Sequence, residues 1–531
     1  MARLSSGHGA AAGRRARLVA VAAGPEDLTP HRLRGLAELA DELEIRADLV
    51  GDPDPARLRR HFPGSLTYAL RSTRQGGRSA AGPVARRTRL LRAADRYDLV
   101  DLEAMDDVQP ELLAAIPARQ RRISWHAPDH PGGAGAGLPA ALGSLRNRFA
   151  AMAAVPAALY LLVPQPGAQY GSAAPLLLTG LARTDVTAFA SGPAGTWTRV
   201  LAPWLGAPVV FGRAGAPGAD GMPDLDRLPA DYGLPALPPL SGLYGIAGRA
   251  PGGSLSPRLH NAALRELRLP ALYLPFQVDR FAPFWHWGAG FGSLGGLPLR
   301  GLTVTAPHKE SALEVADVAD PEALGCGAAN LLWCDAGRWR AATTDTVAAL
   351  RTLALSGADP SGRSAAVVGC GGAGRAVAWA LSRAGARVTL VNRGIAHGRE
   401  AAARLGLGHV PLSRFSPAGY ALLAHATPLV EREPFPVAAA DRDALVLEMA
   451  YRDPPTALTR AIRARGLRGI DGWEILSVEV REQFRLMTGH AMPQTAPLRA
   501  LGSGPAERSG ARARTAPRGP TPAHRTRWEA P

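Results

Sequence analysis

Between residues 18 and 235 the chain alternates short apolar runs of β character (RLVAVAA, SLTYALRS, YDLVDLEA, RRISWHA, AALYLLVP, VTAFAS, PVVFG) with Ala/Leu/Arg segments of helical period. That cadence is βα repetition, and roughly eight units over about 220 residues predict a closed (β/α)8 TIM barrel. The Pro-rich stretch LPALPPLSG reads as a linker. After it come LYGIAG, LYLPFQ, GLTVTAPHK, a helical segment and ANLLWCD; at Ser364 the strand AAVVG opens a further α/β unit running to about Gly472. A last helix is expected from Val478 to Thr488. The predicted organisation is a basic tail 1–17, the barrel 18–233, the linker 234–242, a small α/β unit 243–346 with a C-terminal helix 478–500 packing back on it, a nucleotide-type unit 347–477, and a second basic tail 503–531.

At 531 residues, 46% hydrophobic and 20% charged, the composition is that of an ordinary multidomain globular chain. No run of 18 apolar residues occurs, and the most apolar one, Phe149 to Val163, carries Pro156, so no membrane span is expected. Cys326, Cys334 and Cys370 match neither a disulfide framework nor a zinc site, so no metal and a reducing, cytoplasmic setting are expected. The apolar patch LVAVAAG lacks a cleavage site and runs into PEDLTP, which argues against a secretory leader. Of the net charge of +16, residues 1–17 supply four arginines without an acid, and residues 503–531 supply six against Glu507 and Glu529. Half of the excess therefore lies in Ala/Gly/Pro/Ser-rich tails expected to be disordered, and no specific nucleic-acid partner is implied.

Lys309 is the sole lysine of the chain. In a composition this rich in arginine a lone lysine is either chance or a position arginine cannot fill. Lysine can give and regain a proton when its pKa is lowered, which arginine cannot do, so proton transfer is the sharper reading. In AAVVGCGGAGRAVAWAL, Gly369, Gly371 and Gly374 form G-x-G-x-x-G between a strand and a helix, with Cys370, Gly372 and Ala373 completing the turn. Such a turn lets a pyrophosphate approach the helix N-terminus. The next strand, RVTLVNRG, ends in Asn392 and Arg393 where a ribose-binding acid would stand for NAD, which favours NADP; the alternative is a solvated surface arginine.

The second half, about 240–500, resembles shikimate dehydrogenase through YGIAGRAPGGSLSPRLHNAAL, LTVTAPHKE, GAANLL, TTDTVAAL, GCGGAGRAV, VNRG and GWEILSVEVREQF. The resemblance implies a small α/β substrate-binding domain and a Rossmann domain. It implies NADPH-dependent reduction of 3-dehydroshikimate, a small-molecule substrate, to shikimate, with a Lys–Asp pair as acid/base. The matching residues are Lys309 and Asp345. Ser254 and Ser256 match the hydroxyls that hold the substrate carboxylate; Thr305, Asn330, Tyr451 and Glu479 fall at further substrate positions, and Gly472 at a cofactor position. Thr343 and Glu479 stand where the family usually has Asn and Gln, Thr303 where it has the lysine-loop Asn, and His425 replaces an Asn near the nicotinamide. A carboxylate at 479 places negative charge near an anionic substrate.

The first half resembles type I 3-dehydroquinate dehydratase through ELEIRADL, YALRSTRQGG, YDLVDLEA, RRISWHAPDHPGG and TWTRVLAPWLGAPVVFG. The resemblance implies a site of Glu44, Arg46, Arg71, Glu103, His126 and Arg199. That family works through an imine on a lysine. Tyr160 is read at the lysine's position, and Gly215 and Ala219 replace a closing Ser and Gln, so the barrel is expected to lack imine chemistry. The leading expectation is a shikimate dehydrogenase fused to a barrel without its nucleophile. The alternatives are a fully bifunctional enzyme, a quinate-preferring dehydrogenase, and a non-catalytic sensor of pathway acids.

Overall fold

The computed structural model describes residues 15–127, 138–166, 183–216, 220–288 and 297–496, together with Ala173 and Leu176. The tail 503–531, nearly all of the tail 1–17, and Ala219 lie outside the described residues. Eight parallel strands form the first sheet: β1 (Arg17–Ala22), β2 (Glu42–Arg46), β3 (Ser65–Ala69), β4 (Leu99–Glu103), β5 (Arg121–His126), β6 (Leu159–Val163), β7 (Val186–Ala188) and β8 (Val209–Arg213). They pair in the order β7-β6-β5-β4-β3-β2-β1-β8, so β1 closes onto β8 and the sheet curls into a nearly closed barrel.

Because strand side chains alternate between faces, each strand feeds two layers. Val19 and Val21 meet Leu159, Leu161, Val163, Val209 and Phe211 inside the barrel. Leu18, Ala20 and Ala22 join the outer core. The same alternation corrects the expectation for Tyr160. Its ring lies in the outer cluster, edge-on to Phe149 of α1 (Leu138–Ala153) with centroids 5.7 Å apart. Its hydroxyl donates to the Val155 carbonyl at 2.7 Å. A register error of one residue exchanges the two faces of a strand; the inward positions of β6 belong to leucines and a valine, and the neighbour that lines the barrel cavity is Leu161.

The second sheet is mixed, in the order β10-β9-β11-β13-β14-β12, from β9 (Gly242–Gly248), β10 (Ala271–Gln277), β11 (Leu299–Val304), β12 (Val318–Ala319), β13 (Leu331–Asp335) and β14 (Arg338–Ala342). The third is wholly parallel, in the order β17-β16-β15-β18-β19-β20, from β15 (Ser364–Val368), β16 (Arg387–Asn392), β17 (Gly408–Pro411), β18 (Leu422–His425), β19 (Leu445–Glu448) and β20 (Arg468–Ile470). Its order reverses at β15, the doubly wound switch point outside which ligands bind. Helix α5 (Thr344–Leu355) leads from the second sheet to the third and packs on helix α7 (Gly472–Thr488).

Two expectations are corrected here. Helix α7 begins at Gly472 rather than Val478, because Asp471 accepts from the Trp473 and Glu474 amides while Glu474 accepts from the Asp471 amide, a reciprocal cap. The segment 234–242 is packed rather than a free linker: Leu234 and Leu237 are buried in the main core, and the Pro235 carbonyl accepts the Ala16 amide at 3.2 Å. Among the described residues no helix is long and apolar enough to cross a membrane.

The barrel interior carries charge as well as apolar bulk. Fully buried Arg122 pairs with Glu44 and with Asp101, each at 2.8 Å. Removing one partner of a buried ion pair leaves an uncompensated charge. Arg122→Met is therefore expected to lower the stability of the barrel by about 3–5 kcal/mol, read as an earlier first transition in urea; an unchanged transition would show that the pair carries no such load.

Candidate active site

Lys309 opens the short helix α4 (Lys309–Glu314), directly after Pro307 and His308. The His308 Nε2 pairs with the Val278 carbonyl at 2.7 Å, and the Lys309 carbonyl accepts the Ala329 amide at 2.8 Å, so the loop is tied on both sides. From there the ammonium donates to Asp345 Oδ2 at 2.5 Å. Asp345 lies in the first turn of α5 and is buried. Burial presses the ammonium down, but the carboxylates of Asp345 and then Glu479 more than offset it and hold the lysine above its ordinary range. The lowered pKa anticipated from the residue type is thus not what the pocket creates; two carboxylates keep the proton on.

Glu479 projects from α7 into the same pocket. Its Oε1 accepts from Gln483 Nε2 at 2.7 Å and from Asn330 Nδ2 at 3.0 Å. Asn330 also donates to Thr344 Oγ1 at 2.9 Å and accepts the Thr344 amide at 2.7 Å, locking α5 to the end of the strand-leading loop. Burial pushes the Glu479 carboxyl up to about 7; Asp345 adds to this, and Lys309 offsets it only in part. Gln483 is a residue the sequence reading missed, although its spacing of four from Glu479 places both on one helix face.

Helix α3 (Ser256–Glu266) begins beside the pocket, and the Ser256 amide donates to Ser254 Oγ at 3.1 Å. The Tyr451 phenol reaches Ser254, and the Tyr273 phenol pairs with Thr303 and reaches Ser256. The two serines, Tyr451 and Thr303 therefore share one polar wall. Thr305 packs closely on Gly248, where a Cβ would come within 2.2 Å of its methyl group.

The glycine-rich turn abuts the lysine. A Cβ on Gly372, the first residue of α6 (Gly372–Arg383), would lie 2.9 Å from Lys309 Cβ and 3.0 Å from Cδ. Gly369 has φ +114°, a conformation other residues rarely adopt. A Cβ on Gly374 would meet the Gly369 carbonyl oxygen at 1.9 Å, whereas one on Gly371 would meet nothing within 4 Å, so that backbone is open to an incoming group. The chemistry of this turn fits a pyrophosphate at the helix N-terminus. The Cys370 carbonyl accepts from Arg375 at 3.3 Å, and Ala373 follows within α6. Asn392 donates to the Gly394 carbonyl at 2.9 Å, leaving Arg393 exposed at the end of β16. Gly472 sits where a Cβ would strike the Ala450 carbonyl at 2.3 Å. His425 is buried, paired with Glu448 at 2.9 Å and with Thr427 at 2.6 Å. Arg375, also missed, donates to the Cys326 carbonyl at 3.0 Å and to Glu310 at 2.6 Å, fastening α6 to the residue after Lys309.

In the barrel, Glu44, Arg46, Arg71, His126 and Arg199 line one cavity of about 650 Å³. Glu103 does not line it: Glu103 accepts the Ser72 amide at 2.7 Å and pairs with Arg86 at 3.2 Å. Tyr160 is likewise absent, for the reason of register given above. Gly215 backs onto Asp27 and Arg32.

Compared with known proteins, residues 19–234 match the type I 3-dehydroquinase family and residues 246–332 the shikimate dehydrogenase substrate binding domain. A shikimate dehydrogenase (NADP(+)) of Halobacterium salinarum is 37% identical over 268 residues, covering 49% of this chain and 98% of that protein. The bifunctional 3-dehydroquinate dehydratase/shikimate dehydrogenase of Arabidopsis thaliana is 28% identical over 345 residues, 60% of this chain and 56% of that protein. Among solved structures, the shikimate 5-dehydrogenase of Thermus thermophilus in complex with NADP(H) and shikimate has a TM-score of 0.44 and 30% identity, covering 49% of this chain and 98% of that one.

The raised Glu479 carboxyl has a thermodynamic signature. With its folded pKa near 7 and an unfolded value near the model-peptide one, the folded state binds the extra proton, so stability falls as pH rises from about 4.5 to about 7. Glu479→Gln removes this titration. The variant's melting temperature relative to wild type is expected to climb across that window and level off above it; a pH-independent difference would contradict the assignment.

Proposed function

The chain belongs to the family of shikimate dehydrogenases, here fused to a type I 3-dehydroquinase barrel, and from that membership we propose that it reduces 3-dehydroshikimate to shikimate with NADPH. The observation that carries the reading is the Lys309–Asp345 pair at 2.5 Å, pressed against the glycine-rich turn at Gly372. Lys309 is the general acid: held protonated, it donates a hydrogen bond and then its proton to the carbonyl oxygen as negative charge develops there. Asp345 aims the ammonium and stabilises its charge until transfer. Ser254 and Ser256, with Tyr451 beside them, receive the substrate carboxylate; Thr305 and Asn330 take hydroxyls. NADPH supplies the hydride when bound. Gly369, Gly371 and Gly374 would hold its pyrophosphate, Asn392 and Arg393 its 2′-phosphorylated ribose, and Gly472 the nicotinamide end.

Glu479 favours a second reading within the same chemistry, a preference for quinate, because a carboxyl in place of an amide at this half-buried position changes which ring substituents are tolerated. A higher kcat/KM for quinate than for shikimate would select it. We assign no imine chemistry to the barrel: its inward β6 side chains are Leu159, Leu161 and Val163, and the chain has no lysine other than Lys309.

Lys309→Ala is expected to lower kcat for 3-dehydroshikimate by about 10²–10⁴-fold while NADPH fluorescence titrations stay near wild type; an unchanged kcat would remove Lys309 from the chemistry. Borohydride treatment of the full chain with dehydroquinate is expected to leave the intact mass unchanged, and a stable adduct would restore dehydratase chemistry to the barrel.

A further inference from the structure

Helix α3 carries a polar stripe directed at the barrel half. Arg258, Asn261 and Arg265 are spaced by three and then four residues, which puts them on one helix face. All three bond to the single helical turn Leu228–Tyr232, which lies inside the stretch that matches the 3-dehydroquinase family. Arg258 Nε donates to Asp231 Oδ1 at 2.5 Å, Asn261 Nδ2 to the Asp231 carbonyl at 2.9 Å, and Arg265 Nη2 to the Ala230 carbonyl at 3.2 Å. The other Asp231 oxygen accepts from Arg227 Nε at 2.7 Å, and Arg227 Nη1 goes on to the Gly252 carbonyl at 3.0 Å. Asp231 is 1% exposed, so a buried carboxylate is held between one arginine from each half. A buried charge keeps its place only with such partners.

These bonds end on both flanks of the serine pair. Gly252 stands two residues before Ser254, and Arg258 two residues after Ser256. Between the flanks the chain has little packing of its own: a Cβ on Gly252 or on Gly253 would meet nothing within 4 Å. Unpacked glycines lose the most conformational freedom on ordering, so the place of this loop depends on groups that bind its backbone. Arg227 is such a group. On the helix side, Asn261 also donates to the Tyr273 carbonyl and accepts the Tyr273 amide, each at 2.8 Å, and the Tyr273 phenol reaches Ser256. The apolar part of the junction lies elsewhere, on helix α2 (Gly192–Leu201), whose Trp197 ring is 5.6 Å from Phe276 and 5.7 Å from Trp287. That contact keeps the halves docked when Arg227 is replaced.

We propose that Arg227 and Asp231 of the barrel half are positioning residues of the dehydrogenase, holding loop 251–256 where its serines receive the substrate carboxylate. The proposal rests on the reading of Ser254 and Ser256 given above, and Ser254→Ala tests that reading first. In the full chain, Ser254→Ala is expected to raise KM for 3-dehydroshikimate by about tenfold; an unchanged KM would overturn the serine reading and the proposal with it. Arg227→Met is expected to raise the same KM about fivefold, with kcat and the KM for NADPH within about twofold of wild type, the split of a lost substrate-binding contact. The double variant is expected to match Ser254→Ala within about twofold, because both changes act on one contact. The ratio of kcat/KM for 3-dehydroshikimate to that for its methyl ester, measured on the same preparation, separates a lost contact from lost folded protein, since the folded fraction cancels. That ratio is expected to fall in Arg227→Met as in Ser254→Ala, and again in Arg258→Met, which breaks the bond on the other side of Asp231. A wild-type KM and ratio in Arg227→Met beside a raised KM in Ser254→Ala would overturn the proposal. Effects that multiply in the double variant, or an equal rise in the KM values of substrate and NADPH, would overturn it as well.

Discussion

The arrangement depends on one half-buried charge: the Lys309 ammonium, held on the buried Asp345 where the second sheet meets the third. Burial alone would lower this ammonium's proton affinity, and the carboxylate on α5 is the main group that raises it again. The same lysine's stem fills the space that a side chain on Gly372 would need. The lysine stem and the glycine-rich turn therefore share a van der Waals surface. Arg375 reinforces this by tying α6 to Glu310 and to the Cys326 carbonyl.

Glu479 makes the site more negative than a lysine–aspartate pair alone. Burial, and then the Asp345 carboxylate, raise its proton affinity, and the amide donors Asn330 and Gln483 on one oxygen offset this only in part. The barrel shows the converse imbalance: cations in excess of carboxylates, around a cavity whose strand β6 offers only apolar side chains. The two sites thus differ in local charge, and their halves meet at the Trp197–Phe276 ring contact.

Much of this was legible from residues 18 to 248 and 364 to 392, where short apolar runs separated by helical segments marked the strands and the glycine spacing marked the turn. Lys309 stood out by rarity alone, and its neighbourhood to Asp345, 36 positions away, came only through family resemblance. What escaped had physical causes. The register of β6 was misjudged because LYLLV is apolar on both faces, so no polar position told inside from outside. Strand β14 was passed over because the exposed Arg338 and Arg340 of RWRAA interrupt the apolar run that marks a strand. Helix α7 was started late because Gly472 reads as a breaker, although Asp471 and Glu474 form the cap around it. Glu103 carried the right residue type on the right strand, yet Arg86 draws it away from the cavity.

The most direct test of the central claim is the steady-state oxidation of NADPH by the full chain with 3-dehydroshikimate, compared with NADH. The account predicts saturable turnover that prefers NADPH. Absence of turnover with both cofactor and substrate bound would contradict it.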